Sequence, residues 1–312
     1  MKHLPLFAAL ATSFVLPAAV SHAAEEQPQH PAKPMLWKVE GGKLAKPSYL
    51  FGTIHLGYGP LARLHPTVAK AIDGADAIYT ELPMDVASQT KAAQGMMRQD
   101  GKTLDEAIGN ELAARLDAAV KRINPNLDAA LFQPMKTWVA PLLLGTLEGQ
   151  LKGGQPVDVQ VWQRAEKAGK ETAGLEDLDA QTKIFDDLTD EEQIQFVAES
   201  LRVMEEEQDK DGDVLGEMVA LYAAGEAEKI DALVEREIKK MADGKFKELG
   251  QRLVRKLIDE RDANMARAIL KEFAGRPDKV HFFAVGTGHY IGKDSIISHL
   301  EKAGYKVTRV DS

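Results

Sequence analysis

Apolar strand-like runs lie near both ends of this chain, and each closes on the same frame: Gly52-Thr53-Ile54-His55 and, 234 positions further on, Gly286-Thr287-Gly288-His289. Runs such as Ser48–Ile54 and Val280–Gly286, rich in aromatic and β-branched residues, cannot bury both faces alone. The economical solution is one sheet to which both ends of the chain contribute. The segments between them must then be accommodated as an insertion.

Leu36–Glu40, a Gly41-Gly42 turn and Ser48–Ile54 read as two strands of a hairpin. Pro66 suits the first turn of a helix ending at Gly74, and Asp76–Leu82 reads as a strand. From about Val86 to Phe273 the pattern is charged, alanine-rich and helical. It includes the capping box Thr189-x-x-Glu192, and is interrupted at Glu171–Leu175 by a short parallel strand expected to enter the core. Strand Val280–Gly286, helix Asp294–Ala303 and strand Tyr305–Val310 make a βαβ unit. The expected fold is α/β: a central sheet from N- and C-terminal segments with a large helical insertion (about 86–273), one domain over 35–312.

Met1–Ala23 carries Lys2, an apolar stretch from Leu4 to Val20, and the small residues Ser21 and Ala23, the pattern of a cleaved secretory signal. Pro5 and Pro17 interrupt the stretch, which argues against a retained span, and no cationic stop-transfer pattern follows it. Residues 24–34 are polar and proline-rich, a tether. Export to the periplasm or outside the cell is expected, with no membrane span after cleavage.

The chain has no cysteine, so disulfides, a lipidated N-terminal cysteine and a thiol nucleophile are excluded. Loss of the leader removes one of 39 basic residues and none of 48 acidic ones, moving the formal charge from −9 to −10. With no basic stripe bearing aromatics, nucleic acid is not an expected partner. Composition leaves the oligomeric state open.

Ligands in open α/β sheets bind outside the carboxyl ends of strands, where a glycine allows a sharp turn and close approach. His55 and His289 follow such ends, and Glu81 closes a third strand, expected on the same rim. A lone strand-end histidine is ordinarily a hydrogen-bonded packing residue; the repeated frame favours function. His55, Glu81 and His289 suit a divalent transition metal such as manganese, cobalt or zinc, which lowers the pKa of bound water. Without metal, the same groups suit general acid–base chemistry. Gly52, Gly286, Gly288 and Glu176 are candidates for substrate contact or support, and Arg261 for binding a carboxylate or oxyanion, or for pairing with Glu81 or Glu176. His30, His65, His281 and His299 read as structural or solvated.

No His-Glu-x-x-His, Gly-x-Ser-x-Gly, Walker loop or zinc cysteine pair is present. Gly286-x-Gly288-x-x-x-Gly292 with Asp311 imitates a dinucleotide fingerprint, but its spacing is one residue too long.

The two frames, with Tyr79-Thr80-Glu81-Leu82, Val157-Asp158, Gly174-Leu175-Glu176, Asp259-Glu260-Arg261 and Ala303-Gly304-Tyr305, resemble the TraB/GumN family, whose relatives include the TIKI metalloproteases. The resemblance spans nearly all of the chain after the leader. It implies a two-halved α/β fold and metal-dependent hydrolysis of peptide or protein substrates, with His55, Glu81 and His289 at the presumed catalytic positions. Arg261 matches a Glu-Arg-Asn segment, although Asp262 stands where asparagine is usual, which puts an amide contact there in doubt. Two other classes stand beside the hydrolase: a haem- or metal-binding protein using the same histidines, and a scaffold in envelope assembly with the acidic helical middle as its docking surface.

Overall fold

A computed structural model describes residues 30–208, 213–241 and 246–310. The expected leader, and the first part of the expected tether, lie outside the described residues. Residues 30–34 lie against the body, with Ala32 N donating to Ala223 O and Arg309 donating to Pro34 O. The chain is mixed α/β, with a six-stranded mixed sheet.

Its strands are β1 (Leu36–Gly41), β2 (Ser48–Thr53), β3 (Ala77–Thr80), β4 (Glu171–Gly174), β5 (His281–Gly286) and β6 (Tyr305–Arg309), in the order β4-β3-β5-β2-β1-β6. β1 and β2 form the antiparallel hairpin, and its turn uses Gly41 and Gly42 at positive φ. The four strands β4, β3, β5 and β2 run parallel. β5, from the far end of the chain, is inserted between β2 and β3, so the two Gly-x-x-His frames sit on adjacent strands. Every residue of β5 is buried, as a central parallel strand requires. Each fully buried Phe or Val there contributes about 1.5–3 kcal/mol.

β4 differs from its expected place. It is the edge of the sheet, only partly covered, and does not enter the core. The Glu, Thr, Ala and Gly of this strand offer little apolar surface for a central position. The last two strands also do not touch: β6 pairs with β1, so the β5–helix–β6 crossover passes over β2 and β1.

The helices are α1 (Pro66–Gly74), α2 (Val86–Gly95), α3 (Leu104–Ile108), α4 (Asn110–Ile123), α5 (Val139–Leu151), α6 (Val157–Lys167), α7 (Leu178–Asp186), α8 (Asp190–Gln208), α9 (Val214–Ala224), α10 (Ala227–Met241), α11 (Lys247–Val254), α12 (Glu260–Gly275) and α13 (Ile296–Lys302). Local signals place several of their ends. The His65 ring accepts from Thr67 N ahead of Pro66, and both halves of the Thr189–Glu192 capping box are made.

Two hydrophobic cores result. One packs the sheet with α1, α6, α9, α10, α12 and α13; the other is helical, built around Phe132, Trp138, Phe185, Phe196 and Phe246. Ile258 packs against both cores, and Leu82, directly after Glu81, belongs to the helical one. The carboxyl rim of the sheet therefore lies where the cores meet. Among the described residues no helix is long and apolar enough to cross a membrane.

Candidate active site

The parallel strands deliver Glu176, Glu81, His289 and His55 in that order across the rim, after β4, β3, β5 and β2. His55, Glu81 and His289 are all buried, with His289 only 1% exposed. Each of these groups is held by a second residue.

His55 Nδ1 lies 2.9 Å from Asp158 Oδ2, and His289 Nδ1 lies 2.5 Å from Asp262 Oδ1. Asp158 and Asp262 stand in the first turns of α6 and α12. A carboxylate at Nδ1 fixes the ring and, in the neutral imidazole, keeps the proton on Nδ1 so that Nε2 presents its lone pair. His289 Nε2 is buried and has no hydrogen-bond partner.

Glu81 is held from two sides. Gly286 N donates to Oε1 at 2.7 Å, and Arg261 Nη2 donates to Oε2 at 2.5 Å. Arg261 also grips Glu176, from Nε at 2.9 Å and Nη2 at 2.6 Å, and its Nη1 reaches Leu257 O at 3.3 Å. A π-helical turn, Arg255–Asp259, precedes this segment, and the consecutive residues Arg261 and Asp262 are both buried, one on the carboxylates and the other on His289. Insertions of this kind in a helix are frequent at functional sites.

Burial alone would raise the Glu81 carboxyl, but the Arg261 guanidinium and the facing His289 and His55 rings outweigh it and hold the pKa down at about 2. Both rings are thus close enough to Glu81 to act on its charge. For His55, burial lowers the pKa, while Asp158 and Glu81 together raise it above the ordinary value. Burial pushes the Asp262 carboxyl up despite His289.

The guanidinium of Arg261 is thus engaged by Glu81 and Glu176, the pairing alternative, and its donors face those acids rather than an incoming carboxylate. Gly52 serves packing: a Cβ there would lie 2.7 Å from Thr287 Oγ1, and its carbonyl accepts from Tyr222 OH. Gly286 lends its N–H to Glu81, while Gly288 lies in the short turn Thr287–His289. His65 caps α1, and His281 is a buried strand residue stacked on Phe283.

Two residues at the rim carry no signal in the sequence of the contacts they make. Asp158 reads as an acid in a helical first turn, a placement the helix dipole already explains. Asp262 reads as a departure from asparagine. Only the tertiary contact shows both as partners of the paired histidines.

Among the described residues, no group of three or more His, Asp or Glu side chains is disposed as a metal cage. The two imidazoles do fit the chemistry of a metal site, since each is backed at Nδ1 by a carboxylate and one Nε2 is buried without a partner. Glu81 differs from them, because both its oxygens already accept hydrogen bonds. A carboxylate oxygen has a second acceptor site, so a further contact there remains chemically open.

A sequence model of the TraB/PrgY/gumN family matches residues 35–309. The chain is 23% identical to Metalloprotease TIKI1 of Danio rerio over 93% of its own length and 66% of that protein's. It is 24% identical to Metalloprotease TIKI2 of Danio rerio (87% of this chain, 60% of the relative) and 24% identical to Metalloprotease TIKI1 of Homo sapiens (87% and 61%). The chain therefore spans somewhat less than two thirds of the length of these relatives. No solved structure matches it.

Proposed function

The chain belongs to the TraB/PrgY/gumN family, and from that premise we propose that it is an exported, metal-dependent peptidase whose centre is the rim bearing His55, Glu81 and His289. The observation that carries this reading is a charge imbalance. Four carboxylates, from Glu81, Glu176, Asp158 and Asp262, are gathered at the rim with one guanidinium and two imidazoles. With neutral imidazoles that set lacks three positive charges, an arrangement costly to bury unless protons or a cation supply them. A divalent ion of the manganese, cobalt or zinc kind would supply two of those three charges, leaving one for a proton, and suits the nitrogen donors.

His55 and His289 would hold the ion through Nε2, with Glu81 beside them. Such an ion supplies a bound water of lowered pKa and polarises a carbonyl. The chain's own residues do the rest. Asp158 and Asp262 orient the rings, and Gly286 N and Arg261 keep Glu81 ionised and fixed. Held at about 2, Glu81 is ionised and a weak base at neutral pH, so its part beside the ion is that of a fixed negative charge. The substrate class, polypeptide, follows from the metalloprotease names of the relatives. Export follows from the Met1–Ala23 pattern.

The test uses the protein purified after leader removal. Manganese, cobalt or zinc should stimulate cleavage of a peptide library, and His55→Ala or His289→Ala should abolish both cleavage and bound metal without unfolding. Equal activity in the folded variants would remove the reading. A Soret band on adding haem, lost in the same variants, with no cleavage by the wild type, would replace it with binding.

A further inference from the structure

We propose that Gly57 and Gly154 form a backbone clasp whose task is to set Asp158 against His55, which makes these two glycines positioning residues of the site. The inference rests on reading His55 as an active-site imidazole.

The segment leaving His55 and the segment entering α6 cross in direct contact. A Cβ on Gly57 would lie 1.9 Å from Gln155 O, and a Cβ on Gly154 would lie 1.9 Å from Gly57 O. Each would strike backbone of the opposite segment, so no rotamer change relieves either clash. Gly154 also has φ +84°, a conformation that L side chains rarely adopt. The crossing is tied on both sides. Val157 N donates to Leu56 O at 3.1 Å, and the Gln160 amide donates to Gln155 O at 2.7 Å and to Leu61 O at 2.9 Å.

Asp158 needs such a device. One of its oxygens meets His55, while Oδ1 is buried with no partner, so no second hydrogen bond steers the carboxylate. Its position is inherited from the backbone of Val157 and the α6 first turn, and that backbone is registered on Leu56 and Gly57, next to His55. Both members of the pair are thus located by one crossing. Parting the segments from 1.9 Å to ordinary contact at 3.4 Å moves them by about 1.5 Å, enough to break a hydrogen bond.

The test reads the ring of His55 directly. Full-length protein labelled with nitrogen-15 at histidine is compared as wild type, Gly57→Ala, Gly154→Ala and Asp158→Ala by long-range proton–nitrogen spectra, without added metal. The expected result is that both glycine variants shift the His55 nitrogens to the Asp158→Ala pattern while the His289 signals, backed by Asp262, stay in place. Gly149→Ala is the control: its Cβ would meet side chains alone, Leu56 Cδ2 at 2.3 Å and Tyr58 Cε1 at 3.5 Å, with no backbone struck, and should leave His55 unchanged. Metal-stimulated peptide cleavage, if the wild type shows it, should fall about 10- to 100-fold in kcat in both glycine variants with little change in KM. Folded glycine variants with wild-type His55 signals overturn the proposal. So does failure of both to fold, because a positioning device must be separable from the fold. Absence of cleavage in the wild type would count against the peptidase reading alone and leave the nitrogen spectra to judge the clasp.

Discussion

Asp262 Oδ1 lies 2.5 Å from Nδ1 of His289, in the place where the resemblance leads one to expect an amide. A carboxylate there orients the ring as an amide oxygen would and adds a negative charge that the ring and any bound cation feel. Asp262→Asn should retain the acceptor and lose the charge, weakening manganese or zinc binding about tenfold; Asp262→Ala, which loses both, should weaken it about 100-fold. Calorimetric titration of the purified protein with each metal checks the order. Equal affinity in all three proteins would show that Asp262 is only a packing residue.

Arg261 bridges two carboxylates, Glu81 and Glu176. It stands beyond the π-helical turn and is 3% exposed. Arg261→Met fills similar space but leaves Glu81 and Glu176 facing each other without a cation. The cost should be about 3–5 kcal/mol, the usual penalty for removing one partner of a buried pair, read as a lower urea midpoint. Replacing all three as Arg261→Met, Glu81→Gln and Glu176→Gln should recover much of that stability while leaving the site inactive. If the single variant is as stable as wild type, the network contributes nothing to the stability of the fold.

The outline of this arrangement was legible in the chain because glycine-ended apolar runs declare themselves locally. β2, β3 and β5 lie where their apolar and β-branched residues place them, and the rim residues follow from their strand ends. Strand order was not legible: that β5 inserts between β2 and β3, and that β6 reaches β1, depends on which faces the helices cover, and no local pattern records it. β4 reads as parallel from its sequence, but its edge position depends on no further strand pairing with its outer side. The partners of the paired histidines were least legible. Asp158 is 103 positions from His55, and its helical first turn is a place where acids are common for other reasons.

Stability should depend on pH through buried groups with different signs, among them Glu81, His281 and His55. Glu81 is held at about 2 against an ordinary 4.5, so its contribution is present above pH 4.5 and is lost as the pH falls toward 2. His281 is fully buried; burial lowers its pKa although the Arg276 carbonyl opposes the shift, so the folded protein favours the neutral ring. Its contribution is therefore present above pH 6.5 and declines as the pH falls below that value. His55 has the opposite sense: its raised pKa gives stability below pH 6.5 that is lost as the pH rises through the folded-state value. Urea midpoints of metal-free protein across pH 3–9 should decline at both ends. His281→Phe should remove the decline that begins near neutrality on the acid side, and His55→Ala the alkaline one. Unchanged profiles in both variants would contradict these assignments.

Gly286 offers the sharpest separation of site from scaffold. It ends β5, donates to Glu81 Oε1, and a Cβ on it would lie 3.0 Å from that same oxygen and 3.6 Å from His289 Cδ2. No positive φ is involved, so alanine is tolerated by the backbone, and the crowding falls on the two groups proposed to do the chemistry. At 3.0 Å the oxygen must give by a few tenths of an ångström, which lengthens its bond to Gly286 N and disturbs its bond to Arg261. Gly286→Ala should therefore lose about tenfold or more in kcat at a stability cost of about 1–2 kcal/mol, the overpacking range. Gly52→Ala is the contrast, because its Cβ would press on Thr287 Oγ1 at 2.7 Å and on Met35 Cβ at 3.1 Å, contacts of the scaffold. That variant should lose the same or more stability while keeping more of its activity per folded molecule. Steady-state kinetics beside urea unfolding on both proteins decides the matter: if the two variants lose activity only in proportion to the fraction unfolded, Gly286 has no role beyond packing.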